Sequence, residues 1–141
     1  MPNDRLLKAA NTLHKALLKA TGGRIGSSIG GMPVLELITV GRKSGQERRS
    51  MLTAPIHDNG EYVIVASRGG DPMHPAWYHN LVAQPDVDII VDGTRMQMRA
   101  RTTTGDERTE LWSRIVKAFR GYADYQKRTT REIPVVVLTP R

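Results

Sequence analysis

The 141-residue chain contains no cysteine. Disulfides, thiolate metal sites and cysteine nucleophiles are thereby excluded. Aromatic residues make up only 5% of the chain, with one Phe, two Trp and four Tyr, which argues against a stacking platform for single strands. Helix-turn-helix, zinc-finger and RNA-binding signatures are also missing, so no nucleic-acid partner is expected. No apolar run approaches the ~20 residues that a membrane-spanning helix needs. The N-terminus lacks the apolar core and small-residue cleavage site of a secretory signal, and a cytoplasmic protein is expected. His, Asp and Glu nowhere cluster at ligand spacing, so no metal is expected. No Ser–His–acid arrangement supports hydrolysis. Acidic residues are outnumbered, 14 against 21 Lys and Arg, for a net charge of +7. Such a balance attracts polyanions, including phosphorylated or carboxylated small molecules.

The pattern along the chain divides it into residues 1–31 and 32–141. In the first part, Leu6, Leu7, Ala10, Leu13, Leu17 and Leu18 recur at helical spacing, with Arg5, Lys8, Lys15 and Lys19 opposite. This predicts an N-terminal amphipathic helix. It has two readings: a cap packed on the domain with a solvated basic face, or a helix resting on an anionic membrane surface. The second would place the protein peripherally at the inner face of the cell membrane. Gly22, Gly23, Gly26, Gly30 and Gly31 form a linker behind it.

The second part reads as mostly β. Strands are expected at Val34–Val40, Ser50–Ile56, Tyr62–Ala66, Val87–Val91, Met96–Arg101 and Ile133–Thr139. Asp58-Asn59-Gly60 and Asp92-Gly93-Thr94 predict tight hairpin turns, because Asn, Asp and Gly tolerate positive φ. Helices are expected at Pro75–Ala83 and Asp106–Phe119, the latter capped by Thr104 or Asp106. Six strands joined by tight turns imply an antiparallel barrel.

Three segments carry candidate chemistry. Gly41-Arg42-Lys43-Ser44-Gly45, with Arg48 and Arg49, is a glycine-bracketed basic turn. Its N–H groups, hydroxyl and cations suit a phosphate, although a solvated basic hairpin has the same composition. Ala66-Ser67-Arg68-Gly69-Gly70 leads to His74-Pro75-Ala76-Trp77-Tyr78-His79-Asn80. Its glycines allow a backbone to approach a flat ligand closely, and the helix start suits an anion. Ordinary packing explains His74, His79, Trp77 and Tyr78 equally well. Tyr122 and Tyr125 share one face of a helical turn, where they either line a pocket or pack.

Four stretches, TVGRKSGQERR, VIVASRGGDPMHPAWYHNL, QPDVDIIVDG and GYADYQKRTTREIPVVVLTP, together resemble the deazaflavin-dependent nitroreductase family of actinobacteria. The resemblance implies a six-stranded split β-barrel related to the pyridoxamine-phosphate oxidase fold. It implies coenzyme F420, an 8-hydroxy-5-deazaflavin with a phosphate and a polyglutamate tail. Arg42, Lys43, Ser44, Arg48 and Arg49 would then hold the phosphate and tail. Val65, Ala66, Ser67 and Arg68 would run along the ring, with Ala76, Trp77, Tyr78, His79 and Asn80 closing the other side. Tyr122 would contact the ring or cap the substrate, beside Tyr125. Phe119 stands where some members have a further tyrosine. Ser67, Tyr122 and Tyr125 become the candidates to hydrogen-bond an acceptor as it gains negative charge.

The implied activity is hydride transfer from the reduced deazaflavin to a small-molecule acceptor: a quinone, an activated alkene or a nitro compound. An FMN-binding oxidoreductase of the same fold and a non-catalytic coenzyme carrier are the alternatives. An exposed barrel face leaves a homodimer open.

Overall fold

The computed structural model describes residues 28–29 and 32–141. The N-terminal helix expected at residues 5–20, and the membrane docking attached to it, lie outside the described residues. No helix among the described residues is long and apolar enough to cross a membrane.

Eight strands form among the described residues: β1 (Ser28–Ile29), β2 (Met32–Val40), β3 (Glu47–Thr53), β4 (Ile56–Asp58), β5 (Glu61–Val65), β6 (Asp86–Val91), β7 (Thr94–Thr102) and β8 (Val135–Pro140). The helices are α1 (Ala76–Ala83), α2 (Gly105–Ala118) and α3 (Gly121–Lys127), with a 3-10 turn at Arg68–Gly70. The count of strands corrects the six expected. The Ser50–Ile56 run is not one strand. It belongs to β3 as far as Thr53, and from Ile56 it becomes β4, with Ala54-Pro55 between them. Proline has no N–H for a ladder, so the strand breaks there.

That break also curls the sheet. The strands lie in the order β3-β2-β6-β7-β8-β5-β4, all pairs antiparallel, with β1 on the start of β2. β3 and β4 are thus at opposite edges of the seven-strand path. A flat sheet of that size would separate them by ~29 Å at about 4.8 Å per strand. Three Cα steps from Thr53 to Ile56 span at most ~11 Å. The sheet is therefore curled into a half-barrel, with the Thr53 end of one edge strand brought close to the Ile56 end of the other.

Rolling gives two apolar layers. Inside lie Leu35, Leu37, Ile64, Ile89, Met98 and Leu138, plugged at one end by Trp77 and Leu81 of α1. Outside, α2 and α3 cover Val63, Val65, Val135 and Val137 with Ile115 and the ring faces of Tyr122 and Tyr125. β8 is consequently buried on both faces, as its unbroken apolar run predicts. β7 alternates as predicted, with Met98 and Ala100 inward and Gln97, Arg99 and Arg101 exposed.

The two tight turns have the required geometry. Asn59 and Gly60 have φ of 52° and 78°, and Asp92 and Gly93 have 49° and 79°. Both are two-residue loops between paired residues, Asp58 with Glu61 and Val91 with Thr94. α2 starts one residue earlier than expected. Thr104 occupies its cap position without a side-chain capping bond.

Candidate functional site

The basic turn links β2 to β3 beyond the last pair, Val40 with Glu47. Gly41 N donates to Gln46 O at 2.8 Å and Gly45 N to Gly41 O at 2.8 Å. A Cβ at residue 41 would stand 2.6 Å from Ser44 Oγ and displace that side chain, and Gly45 has φ +73°, where a side chain is strained. Gln46 N donates to Ser44 Oγ at 3.2 Å, and Arg42 N donates to Asn80 Oδ1 at 3.1 Å. Those four amides are spent within the protein. Among the described residues, the Lys43 and Ser44 amides have no acceptor. Ser44 Oγ also accepts from Arg48 Nη2 at 3.3 Å, which leaves its proton to donate outward.

The cations divide sharply. Arg49 donates to Glu36 at 2.9 Å and reaches Glu47 at 3.5 Å, and Arg95 binds the same Glu47 at 2.8 Å. The Arg95 guanidinium holds the Glu47 carboxyl below its ordinary pKa. No carboxylate among the described residues pairs with Arg42, Lys43 or Arg48. Three uncompensated cations, two amides and a hydroxyl therefore converge on one turn.

α1 forms the facing wall. Asn80 is buried, and its Nδ2 donates to Thr39 Oγ1 at 3.2 Å while its oxygen holds Arg42 N. The helix is thus tied to both ends of the turn's first arm. Between them lies a cavity of ≈ 390 Å³ lined by the basic turn, Arg48, Arg49, Ser50, Ala76, Trp77 and Asn80. The contiguous stretch 76–80 divides here. Ala76, Trp77 and Asn80 line the cavity, whereas Tyr78 and His79 do not, because a helix cannot present five consecutive residues to one side. Tyr78 bonds Thr102 Oγ1 at 3.1 Å, and His79 stands edge-on to His74 at 5.6 Å.

The loop after β5 is the second part. Ala66 faces the barrel interior, while Val65 faces α3. Arg68, Gly69 and Gly70 follow with φ of 46°, 63° and 83°. Asp71 is buried; its carboxylate accepts from Met73 N at 2.9 Å and pairs with Arg68 at 3.4 Å. Arg131 reaches into this loop and donates to Ala66 O, Ser67 O, Asp71 O and His74 Nδ1. Gln126 holds Arg131 in turn through its carbonyl at 2.7 Å. Sequence reasoning missed Arg131, Asp71, Thr39 and Gln126. Nothing local separates Arg131 from the other Lys and Arg residues, since its partners are distant main-chain carbonyls.

Tyr122 and Tyr125 do share one side of α3, with ring centroids 5.9 Å apart at 88°. The Tyr122 hydroxyl lies 3.4 Å from Thr53 Oγ1 and 3.7 Å from Met32 Sδ. Burial raises its pKa, against the opposing pull of the Thr53 bond, so the phenol stays protonated at neutral pH. The structure does not bring these tyrosines to the basic turn. Thr53 is six residues along β3 from Glu47, or ~20 Å at about 3.4 Å per residue. The cationic end thus lies at the turn and α1, apart from the place where loop 65–74 meets the C-terminal end of α3.

His74 gives a pH test. A guanidinium only donates, so Arg131 at 3.0 Å requires an unprotonated Nδ1. Burial, then Arg131, then His79 lower the His74 pKa. A depressed histidine binds fewer protons folded than unfolded. Its contribution is complete above the ordinary value of ~6.5 and is lost as pH falls from there through the folded value. Melting temperature should therefore decline as pH drops below ~6.5. His74→Asn keeps an acceptor for Arg131 without titrating, so it should flatten that decline. An unchanged slope in scanning calorimetry would show that His74 does not carry it.

Residues 11–140 match the family described as F420H(2)-dependent quinone reductase. An F420H(2)-dependent quinone reductase of Mycobacterium tuberculosis is 45% identical over 133 residues, 92% of this chain and 89% of that relative. A solved F420-H2 dependent reductase (FDR-A) is 40% identical with a TM-score of 0.67, covering 75% of this chain and 93% of its own. A chain solved as a domain-swapped dimer is 34% identical with a TM-score of 0.69, covering 92% and 98%.

Proposed function

The chain belongs to the F420H(2)-dependent quinone reductase family, and from that premise we propose that it moves a hydride from reduced coenzyme F420 to a quinone. The sequence resemblance names the nitroreductase branch, whereas the family match is to the quinone reductases. Nitro compounds and activated alkenes are accordingly secondary acceptors in this reading.

The observation that carries the coenzyme end is the convergence of three uncompensated cations on the ≈ 390 Å³ cavity. Arg42, Lys43 and Arg48 would hold the phosphate and carboxylate tail, with the Lys43 and Ser44 amides and the Ser44 hydroxyl completing the cradle. Arg49 would add to the local field while remaining paired to its two glutamates. Val65, Ala66, Ser67 and Arg68 would run along the ring, and Ala76, Trp77 and Asn80 would close the opposite wall, backed by Tyr78 and His79. When bound, the deazaflavin supplies a two-electron hydride donor. The protein's own contribution is placement. A quinone that takes up a hydride and a proton becomes a hydroquinone, and the Ser67 hydroxyl and the Tyr125 phenol are the groups that would stabilise the intervening anion.

The relative solved as a domain-swapped dimer supports a homodimeric assembly, which light scattering tests directly.

Tyr122 is assigned to the wall. Its hydroxyl makes one long bond to Thr53 and one to sulfur, whereas its ring packs on the outer apolar layer. Tyr122→Phe should hold kcat for quinone reduction within ~3-fold, less than about 0.7 kcal/mol in the transition state. Tyr122→Ala should weaken coenzyme or acceptor binding. A large kcat loss in the Phe variant with normal coenzyme affinity would give the hydroxyl a direct role. The cofactor itself is tested by absorbance of the reconstituted protein. Preferential uptake of FMN, or tight F420 binding without turnover of any quinone, would overturn the reading.

A further inference from the structure

Arg131 is placed unlike any other arginine in the described fold. It follows α3, yet its guanidinium spans the loop between β5 and α1. Nε donates to Asp71 O at 2.9 Å, Nη1 to Ala66 O at 3.1 Å and His74 Nδ1 at 3.0 Å, and Nη2 to Ser67 O at 2.8 Å. No carboxylate among the described residues lies within ion-pair distance of it. The positive charge is solvated instead by carbonyl dipoles and one imidazole. Lysine cannot reproduce this arrangement, because its compact ammonium lacks the planar fork that spans four acceptors.

The loop needs such a clamp. Three consecutive residues, Arg68 to Gly70, have positive φ, and Arg68 has a side chain that makes this conformation costly. Gly70 N also donates to Ser67 O at 2.9 Å. The Ser67 carbonyl is therefore fixed by two donors. Its amide and hydroxyl find no partner among the described residues.

We propose that Arg131 is a positioning residue for the hydride-transfer end of the site, holding loop 66–74 in the shape against which the coenzyme ring lies. The inference rests on the placement of the ring along residues 65–68. It separates two duties that one chain must perform: the basic turn supplies affinity, and Arg131 supplies alignment.

The test is hydrogen exchange on wild type and Arg131→Lys, each with and without oxidised F420, beside kcat and coenzyme Kd. In wild type, F420 should slow exchange in residues 66–70. Without coenzyme, Arg131→Lys should speed exchange across 66–74 by ~10-fold or more, because the native loop shape loses its tether. The same variant should lose kcat by ~10-fold or more while Kd and its salt dependence change by less than ~3-fold, since misalignment costs rate more than charge-based affinity. Restored loop exchange and kcat on adding methylguanidinium to Arg131→Ala would support the clamp further. Should Arg131→Lys melt below the assay temperature, His74→Ala removes one acceptor and should give a smaller change of the same kind. Protection of 66–70 by F420 in wild type, with exchange and kcat unchanged in the variants, would overturn the role of Arg131 alone. No protection in wild type would overturn the ring placement and this proposal with it. A kcat loss that merely follows the fraction unfolded would overturn it as well.

Discussion

Lys43→Ala and Arg48→Ala should each weaken F420 binding by ~1–3 kcal/mol, or roughly 5- to 150-fold. Neither cation has a carboxylate partner among the described residues, so the coenzyme would supply the missing counter-charge. Arg49→Ala is the matched control. Arg49 lies on the same cavity but is already held by Glu36 and Glu47. Its removal should cost less than about 1 kcal/mol, in the range of exposed ion pairs. The ordering should shrink as salt rises, because these charges are open to solvent. Titration of each variant by deazaflavin fluorescence checks it. A larger loss for Arg49→Ala than for Lys43→Ala or Arg48→Ala would mean that the tail follows another path.

Gly70→Ala should be the most damaging single-methyl change in the candidate site. Gly70 has φ +83°, and an added Cβ would meet Tyr125 O at 2.7 Å and Arg128 Cβ at 2.8 Å. Two penalties combine: left-handed backbone strain of about 1–2 kcal/mol and overpacking of about 1–3 kcal/mol. The expected destabilisation is ~2–5 kcal/mol, which for a domain of this size lowers Tm by roughly 7–17 °C. Gly93→Ala separates the two terms. Gly93 has nearly the same φ, +79°, with nothing within 4 Å of the added carbon. It should lose only the backbone share, about 1–2 kcal/mol. Equal melting temperatures for the two variants would show that the loop yields and that its contact with α3 is soft.

These contrasts also mark what could be read from the residues alone. Asn59-Gly60 and Asp92-Gly93 announce their turns because their conformation depends on those residues themselves. The same holds for the alternation in β7, the two-sided burial of β8 and the paired tyrosines of α3. β3 was harder. Its first residues, Glu47, Arg48 and Arg49, are polar and exposed on an edge strand, so they resemble a loop, and Pro55 hides the passage from one sheet edge to the other.

The site shows the same division. The cluster of cations at residues 42–49 is visible as composition. Which of them are compensated is not, because Glu36 lies 13 residues from Arg49 and Arg95 lies 48 from Glu47. Arg131 is the extreme case, with partners 57 to 65 residues upstream, most of them backbone carbonyls whose direction no side-chain pattern encodes.

The most direct test of the account is an anaerobic single-turnover experiment. Wild-type protein loaded with reduced F420 is mixed with a quinone, and the return of the oxidised deazaflavin absorbance is followed in time. The account predicts one coenzyme oxidised per quinone reduced, faster than in protein-free solution, with the rate reduced in Arg131→Lys when both proteins are saturated with coenzyme. Oxidation no faster than without protein, in a sample shown to have bound the coenzyme, would contradict it.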